Sequence, residues 1–188
     1  MNFQKQIAVA VRDELLKPRI ASLGNPFPTT GRVFWVLPTT KTNYGAFVKD
    51  HPDYSSADGV VTVASVYNTI DAAIGACTAS QGDIIYVGEG HAETITNGSI
   101  ACDIAGVSII GLGSGALKPV LTFSATNSKI NVTAANCTFK NLRLTAGIDA
   151  IVTAFLHATA AQNTSYLDIE FTAGAGTYNF INEYTLGA

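Results

Sequence analysis

The stretch NCTFKNLRLTAG, residues 136–147, recurs with substitutions as NTSYLDIEFTAG, residues 163–174, at an offset of 27 residues. A further stretch, GVSIIGLGSG at 106–115, fits the same frame imperfectly about 30 residues before the first. In these stretches apolar and polar residues alternate, as they do in strands that bury one face. Short strands that recur at this period are typical of solenoids, in which each coil stacks on the one before. The pattern therefore predicts an all-β fold, a parallel β-helix with about four coils over residues 84–188.

A helix is predicted ahead of these coils, over residues 65–79. Ser65 is a suitable N-cap. Apolar residues then follow at helical spacing and form one stripe: Val66, Ile70, Ala73, Ile74 and Cys77. Such a helix is well placed to cover the N-terminal end of the stack, where strand edges and core would otherwise be exposed. The last stretch, GTYNFINEYTLGA, shows no comparable cap, so another subunit, a partner or further chain is expected to cover it.

The first 60 residues differ from the coils and are predicted to form an N-terminal arm, separate from a β-helix domain over 61–188. QKQIAVAVRDELL (4–16) favours a short helix that ends at Pro18. The stretch that follows is long, interrupted by prolines and rich in aromatic residues, which suits a segment that lies on a partner. The aromatic residues expected to anchor it are Phe34, Trp35, Tyr44 and Phe47. The alternative is that these rings cover one end of the domain's own core.

Charged residues make up only 13% of the chain and hydrophobic residues 47%, with a net charge of −3. Average globular proteins contain roughly 25% charged residues, so this composition suits a packed assembly and argues against disorder. It offers no basic surface for nucleic acid and no polybasic patch for a membrane. No apolar run approaches the roughly 20 residues needed to cross a bilayer, and the N-terminus lacks the apolar core of a signal peptide. We expect a protein made without Sec export that binds neither nucleic acid nor membrane.

The stretch GDIIYVGEGHAETI (82–95) carries a dense group of possible ligands and acid–base residues: Asp83, Glu89, His91 and Glu93. They fall on both faces of a strand–turn–strand and lack the spacing of a metal motif, which favours a structural role. Asp168 and Glu170 share one strand face and form the best carboxylate pair for a polysaccharide hydrolase, but a solvated outer face is the favoured explanation.

Other polar residues carry weaker signals. His157 lies in an apolar strand and is predicted to be a packed, hydrogen-bonded histidine. GLGSG (111–115) is rich in glycine, but no helix follows it to bind a phosphate, which favours a coil turn.

The three cysteines lie among apolar neighbours without CxxC spacing and are predicted to be buried thiols: Cys77, Cys102 and Cys137. We expect no catalytic residue, metal or cofactor.

TIDAAIGACTASQGDIIYVGEGHAETI resembles the opening of pectin-lyase-like right-handed parallel β-helices. Those proteins typically begin with a helix of the type I-x-x-A-I, followed by G-D-x-I-x-V-x-x-G-x-Y-x-E. The matching residues are Ile70, Ala73, Ile74, Gly82, Asp83, Ile85, Val87, Gly90 and Glu93. The next coil of the family is matched by Gly106, Val107, Ile109, Gly111, Gly113 and Pro119, and Asn141 falls where the family often stacks asparagines. The resemblance covers roughly residues 65–175 and implies the fold, whereas enzymes, adhesins and viral fibres all use that fold.

The chain also resembles the β-helix structural proteins of tailed-phage particles, which are often homotrimers. This resemblance implies a virion protein, and we expect a capsid decoration or cement protein that binds the major capsid protein or another virion protein through residues 1–60. A first alternative is a tail fibre or spike that binds host glycan, with Tyr86, Tyr166 and Tyr178 as candidate contacts. A polysaccharide lyase or hydrolase is the less favoured alternative.

Overall fold

The computed structural model describes residues 31–37, 66–96, 99–174 and 177–187. Most of these residues lie in short strands. The strands are β1 (Val33–Val36), β2 (Val66–Tyr67), β3 (Ile84–Val87), β4 (Ala92–Ile95), β5 (Ser99–Cys102), β6 (Ser108–Gly111), β7 (Val120–Phe123), β8 (Lys129–Val132), β9 (Thr138–Ala146), β10 (Phe155–His157), β11 (Ser165–Ala173) and β12 (Tyr184–Leu186). An α-helix, α1 (Ile70–Ile74), and a single 3-10 turn (Gly115–Leu117) complete the regular structure of these residues.

The strands stack in parallel as a β-solenoid of about four turns. One face is formed by β3, β6 and the first parts of β9 and β11, and a second by β4, β7 and the second parts of β9 and β11. The third face is formed by β5, β8, β10 and β12. The prediction of an all-β parallel fold from the alternating repeat is therefore confirmed.

Register explains the repeat seen in the sequence. Ile84 pairs with Ser108, Ser108 with Thr138, and Thr138 with Ser165. The last of these steps is the 27-residue offset between the two similar stretches. We number the coils 1 to 4 from these four residues.

Ladders of apolar side chains fill the interior of the solenoid. Ile100, Ile130 and Phe155 stack on the third face and are 3%, 1% and 0% exposed. Leu121 and Leu144 pair on the second face and are fully buried. Burying a side chain of this size contributes roughly 1.5–3 kcal/mol, so these inward ladders dominate the stability of the fold.

The helix at the N-terminal end is much shorter than the predicted 65–79. Thr69 is its N-cap and accepts a hydrogen bond from the backbone N–H of Ala72, and Gly75 ends it. Val66 and Tyr67 form a strand instead, because they pair with β1. The predicted N-cap, Ser65, lies outside the described residues. The apolar stripe is confirmed at Ile70, Ala73 and Ile74, which are all buried against the core.

Strand β1 belongs to the solenoid, although it falls within the region predicted as an arm. Val33–Val36 pairs along its whole length with Ile84–Val87 of β3, and its other edge pairs with β2. The coil structure therefore includes residues well before position 61. The rest of the predicted arm, including the short helix at 4–16, lies outside the described residues.

The corner between the first two faces changes from coil to coil. It spans residues 88–91 in coil 1 and residues 112–119 in coil 2. In coils 3 and 4 it is a single residue with left-handed backbone, Asn141 (φ 56°) or Asp168 (φ 53°), so β9 and β11 each run over two faces. Asn is among the few residues that adopt this conformation readily. The Asn141 side chain also donates hydrogen bonds to the carbonyl oxygens of Gly111 and Gly113, both at 2.9 Å, and so fixes coil 3 to coil 2.

Aromatic rings fill the C-terminal end of the core. Tyr166 stacks on Phe139 with ring centroids 5.5 Å apart, and Tyr184 stacks on Phe155 at 5.4 Å. Tyr166 and Tyr184 meet edge to face at 4.9 Å. The sequence did not predict this cluster, which fills the end for which no cap was found.

Candidate functional site

Asp83 is a fully buried carboxylate that joins three segments at the N-terminal end of the solenoid. Its Oδ1 accepts a hydrogen bond from the backbone N–H of Arg32 at 2.6 Å, and its Oδ2 accepts one from the N–H of Thr78 at 2.7 Å. The Arg32 guanidinium adds an ion pair at 3.2 Å. These contacts tie the start of β1 and the turn after α1 to the start of β3. Asp83 therefore has the structural role favoured by the sequence, and no substrate could reach it.

The buried His91 and the partly buried Glu93 form a second pair, separate from the contacts of Asp83. His91 is 3% exposed, and its Nε2 lies 3.2 Å from Oε2 of Glu93. The same carboxylate oxygen accepts a hydrogen bond from the backbone N–H of Ile70, at the start of α1. Glu93 thus links β4 to the helix. The described residues contain no group of three or more His, Cys, Asp or Glu side chains placed to hold a metal ion.

The main charged arrangement among the described residues lies at the corner between the first two faces. We call it the corner cluster, and it consists of Lys118, Arg143, Asp168 and Glu170. Lys118 Nζ lies 3.3 Å from Asp168 Oδ1 and 3.8 Å from Glu170 Oε2. Arg143 Nη2 lies 3.1 Å from the same oxygen of Glu170. The cluster therefore connects coils 2, 3 and 4.

Register places these side chains together. Glu170 pairs with Arg143 in neighbouring coils, and Asp168 stands at the bend of coil 4. Lys118 comes from the longer corner of coil 2 and is 8% exposed, whereas Asp168 is 69% exposed. Sequence reasoning paired the two acids but did not place Lys118 or Arg143 beside them. The 27-residue offset could have placed Arg143 opposite Glu170, whereas nothing in the sequence fixed the path of residues 112–119.

The chemistry of the corner cluster favours stabilisation over catalysis. A glycoside hydrolase needs one carboxyl group to donate a proton and a second across the scissile bond. Here both carboxylates face the same ammonium group, and Arg143 also binds Glu170. Ion pairs whose carboxylates remain open to solvent contribute roughly 0–1 kcal/mol each. The cluster is thus a modest brace between coils with an exposed acidic edge.

Two of the four expected anchor residues lie inside the domain. Phe34 and Trp35, both on β1, are 5% and 6% exposed. Phe34 packs in the main core, and the Trp35 ring lies 5.1 Å from that of Tyr86. For these two residues the structure matches the alternative, in which the rings cover one end of the domain's own core. Tyr44 and Phe47 lie outside the described residues.

The tyrosines proposed as glycan contacts do not form one platform. Tyr86 is 6% exposed in coil 1, and burial raises its pKa above the usual 10. Tyr166 lies in the C-terminal aromatic cluster, and Tyr178 is half-buried against the core. His157 is also half-buried and meets Tyr166 edge to face, with ring centroids 6.3 Å apart.

The three cysteines are free thiols. Cys102 and Cys137 are fully buried, as predicted, and Cys137 Sγ donates hydrogen bonds to the backbone carbonyl oxygens of Ile104 and Ala134, both at 3.5 Å. Cys77 is half-buried, and burial raises its pKa to about 12.

Comparisons with protein-family models, curated proteins and solved structures found no match to this chain. Within the ranges that the structure describes, no helix is long and apolar enough to span a membrane. The fold therefore follows from strand pairing alone, and function has to be inferred from the surface of the solenoid.

Proposed function

We propose that this chain is a structural protein of a tailed-phage particle, a right-handed β-helix that decorates the capsid as a homotrimer. The observation that carries the proposal is an apolar surface on coil 4, which suits assembly with other subunits. The low charge of the chain and its resemblance to phage β-helix proteins add support.

Coil 4 presents side chains at core positions to solvent. Tyr184 pairs with Phe155 and Leu186 with His157, so both continue inward ladders of the third face. They are nevertheless 44% and 81% exposed, whereas Phe155 is fully buried. Four of the six exposed large apolar side chains among the described residues lie in this coil: Leu167, Ile181, Tyr184 and Leu186. Such a concentration of apolar surface is typical of interaction sites.

We assign this surface to sister copies of the same chain. Identical surfaces meet with little repulsion where their charges are largely balanced, and two of the three acids of coil 4 are paired within their own chain. Asp168 and Glu170 bind Lys118, and Glu170 also binds Arg143. In the trimer, the part of the predicted arm outside β1 would bind the major capsid protein through Tyr44 and Phe47. Three copies of a weak contact would then act together and raise the overall affinity.

The oligomeric state tests the role of coil 4. Light scattering after size exclusion should give three times the chain mass of 19.6 kDa for the wild-type protein. Leu186→Glu places a charge in the proposed contact and should yield monomers. Leu117→Glu is a matched control. Leu117 is 52% exposed but lies in coil 2, at the corner between the first two faces, so this variant should remain trimeric. A monomeric wild-type protein, or a trimeric Leu186→Glu variant, would show that coil 4 does not mediate assembly.

Location in the particle tests the function itself. Quantitative mass spectrometry of gradient-purified particles should find a copy number comparable to that of the shell protein. A handful of copies would instead favour a tail fibre or spike, for which the exposed edge of the corner cluster offers polar contacts to host glycan. Absence from the particle would overturn the proposal.

The arm can be tested separately from the solenoid. Because β1 belongs to coil structure, the deletion should stop at residue 30, before Gly31 and Arg32. A protein lacking residues 1–30, combined with Tyr44→Ala and Phe47→Ala, should stay folded by circular dichroism but no longer bind capsids. Full capsid binding by this variant would exclude the arm as the anchor.

The polysaccharide lyase or hydrolase alternative also has a direct test. Incubation with acidic polysaccharides, followed by assays for reducing ends and unsaturated products, should show no turnover. Turnover that is lost in Asp168→Asn would replace the structural proposal with an enzymatic one.

A further inference from the structure

A second group of buried apolar side chains lies on the outside of the first face. Phe34 of β1 points into the core, so its neighbour Trp35 points outward, as alternation along a strand requires. We call the outward group the outer patch, and it consists of Trp35, Leu37, Val66, Ile84, Tyr86 and Ile110. Register aligns four of them in one row across β2, β1, β3 and β6: Val66, Trp35, Tyr86 and Ile110. The rings of Trp35 and Tyr86 lie 5.1 Å apart.

The outer patch is shielded from solvent, although it faces away from the core. Each of its six side chains is at most 8% exposed. Further along the same row, Lys140 pairs with Ile110 and Leu167 pairs with Lys140, and Leu167 is 49% exposed. An apolar side chain on the outside of this face is therefore exposed unless something packs over it. Apolar patches of this kind are typical of contact sites.

The contact that shields the outer patch comes from the chain itself. A single copy of the chain already buries these side chains. Helix α1 packs on β1 and β3, but from the core side, where Ile70 lies with Phe34 and Ile85. The second and third faces of the solenoid point away from the patch. The long stretches that lie outside the described residues are 1–30 and 38–65, and the contact has to come from one of them.

We propose that residues 50–65 dock on the outer patch of their own chain. This segment leads directly into Val66, which belongs to the patch and is fully buried. Its 16 residues can extend to about 50 Å, whereas the four strands of the patch together span only about 15 Å. The segment supplies large apolar side chains for the contact: Tyr54, Val60, Val61 and Val63.

Charge favours this segment over the rest of the chain outside the described residues. Lys140 borders the patch, because it pairs with Ile110. Residues 50–65 contain three acids and no lysine or arginine, whereas residues 38–49 contain two lysines and no acid. Residues 1–30 contain four basic residues and two acids. Residues 50–65 are thus the segment whose charge complements the positive border of the patch.

The docked segment occupies the first face, so other subunits have to bind elsewhere on the solenoid. It is also distinct from Tyr44 and Phe47, which the proposed function assigns to capsid binding. The inference concerns one chain in solution and does not depend on the proposed function.

Photo-crosslinking of the full chain tests the contact. With p-benzoylphenylalanine in place of Tyr86, irradiation should link position 86 to a peptide from residues 50–65 of the same chain, as identified by mass spectrometry. The same group in place of Leu156, on the third face, should give no link to that segment. A link from position 86 to residues 1–30 or 38–49, a link between two copies, or no link at all would overturn the proposal.

Fluorescence of Trp35 gives a second measurement, because it is the single tryptophan of the chain. In the wild-type protein its emission should be blue-shifted and only weakly quenched by acrylamide. Combining Tyr54→Ser, Val60→Ser and Val61→Ser should move the emission to longer wavelength and raise the quenching constant several-fold, with the circular dichroism spectrum unchanged.

The matched control is the variant that lacks residues 1–30 and carries Tyr44→Ala and Phe47→Ala. Its Trp35 should stay as shielded as in the wild-type protein, whether or not the variant binds capsids. Exposure of Trp35 in this control, with no change in the triple serine variant, would assign the outer patch to the arm and overturn the proposal.

Discussion

The two ends of the solenoid are closed by different chemistry. At the N-terminal end, α1 covers the core with its apolar stripe and satisfied polar contacts hold it in place: Asp83 binds Arg32 and Thr78, and Glu93 binds the first N–H of α1. At the C-terminal end, stacked rings lie over the core, and Tyr184 remains 44% exposed. A stack that ends on satisfied polar groups presents little for a partner to bury, whereas one that ends on half-exposed rings gains from further contact. The difference explains why we place assembly at coil 4.

The largest effect is expected from Phe155→Ala, within the aromatic end. Phe155 is fully buried and touches Phe139, Tyr166 and Tyr184. Its loss should lower the free energy of unfolding by about 3–5 kcal/mol, measured by urea denaturation. Tyr184→Ala, above it in the stack, should lower it by less than half as much because Tyr184 is already partly exposed. Equal losses would show that Tyr184 is buried in solution, as in an assembled form.

Asp83→Ala tests the polar end and should have a slightly smaller effect. The substitution leaves two backbone N–H groups without an acceptor and the Arg32 guanidinium without its partner. Because Arg32 is 55% exposed and can be hydrated, we expect a loss of about 3 kcal/mol, at the low end for breaking a buried pair. Asp103→Ala, at an exposed position of the same coil, should change the urea midpoint little. A small effect of Asp83→Ala would mean that this end does not depend on polar contacts.

Asn141→Ala addresses the join between coils in the middle of the stack. It removes two hydrogen bonds and places alanine in left-handed backbone, which together should lower stability by about 2 kcal/mol. In Asn141→Gly the glycine adopts the left-handed backbone conformation without strain, so this variant should recover about half of that loss. Identical thermal midpoints for the two variants would assign the whole effect to the hydrogen bonds.

Much of the fold could be predicted because β-solenoids repeat. The match of residues 136–147 to 163–174 gave the register of β9 and β11. Alternation gave the inward residues of β9, but in β11 it places Leu167 inside, whereas Leu167 is 49% exposed because the left-handed bend at Asp168 interrupts the alternation. The glycine–aspartate turn at Gly82 and Asp83 likewise gave the position of β3. The length of α1 could not be predicted, because pairing of Val66 with Trp35 of a distant strand outweighs the local helical pattern.

The charged residues were harder to assign than the core. Lys118 and Asp168 are 50 residues apart and meet only because the corner of coil 2 is longer than the others. Sequence spacing within one strand showed Glu170 next to Asp168 but not the cations that bind them. Likewise, Phe34 and Trp35 have the composition of an interface, and only the pairing of β1 with β3 shows that they are buried.

The smallest expected effect is a loss of stability at alkaline pH, which should come mainly from the aromatic end. Burial, followed by the nearby Tyr184 and thiols, raises the pKa of Tyr166 above the usual 10. The folded protein then holds this proton more tightly than the unfolded chain does, so the contribution is complete below about pH 10 and lost as pH rises further. Urea midpoints measured from pH 9 to 12 should fall, and Tyr166→Phe should reduce the slope. An unchanged slope in Tyr166→Phe would assign the decline to other groups, such as Tyr86 at the opposite end.

The long corner of coil 2 also has a practical consequence for engineering. The middle of this corner, residues 114–117, is exposed, and the pairing of β6 and β7 with β9 continues on either side of it. A foreign peptide spliced between Ser114 and Gly115 would therefore project from this corner while the strands around it keep their places. On a particle that carries many copies, such a graft would present an epitope as a regular array, which is the arrangement sought in vaccine scaffolds.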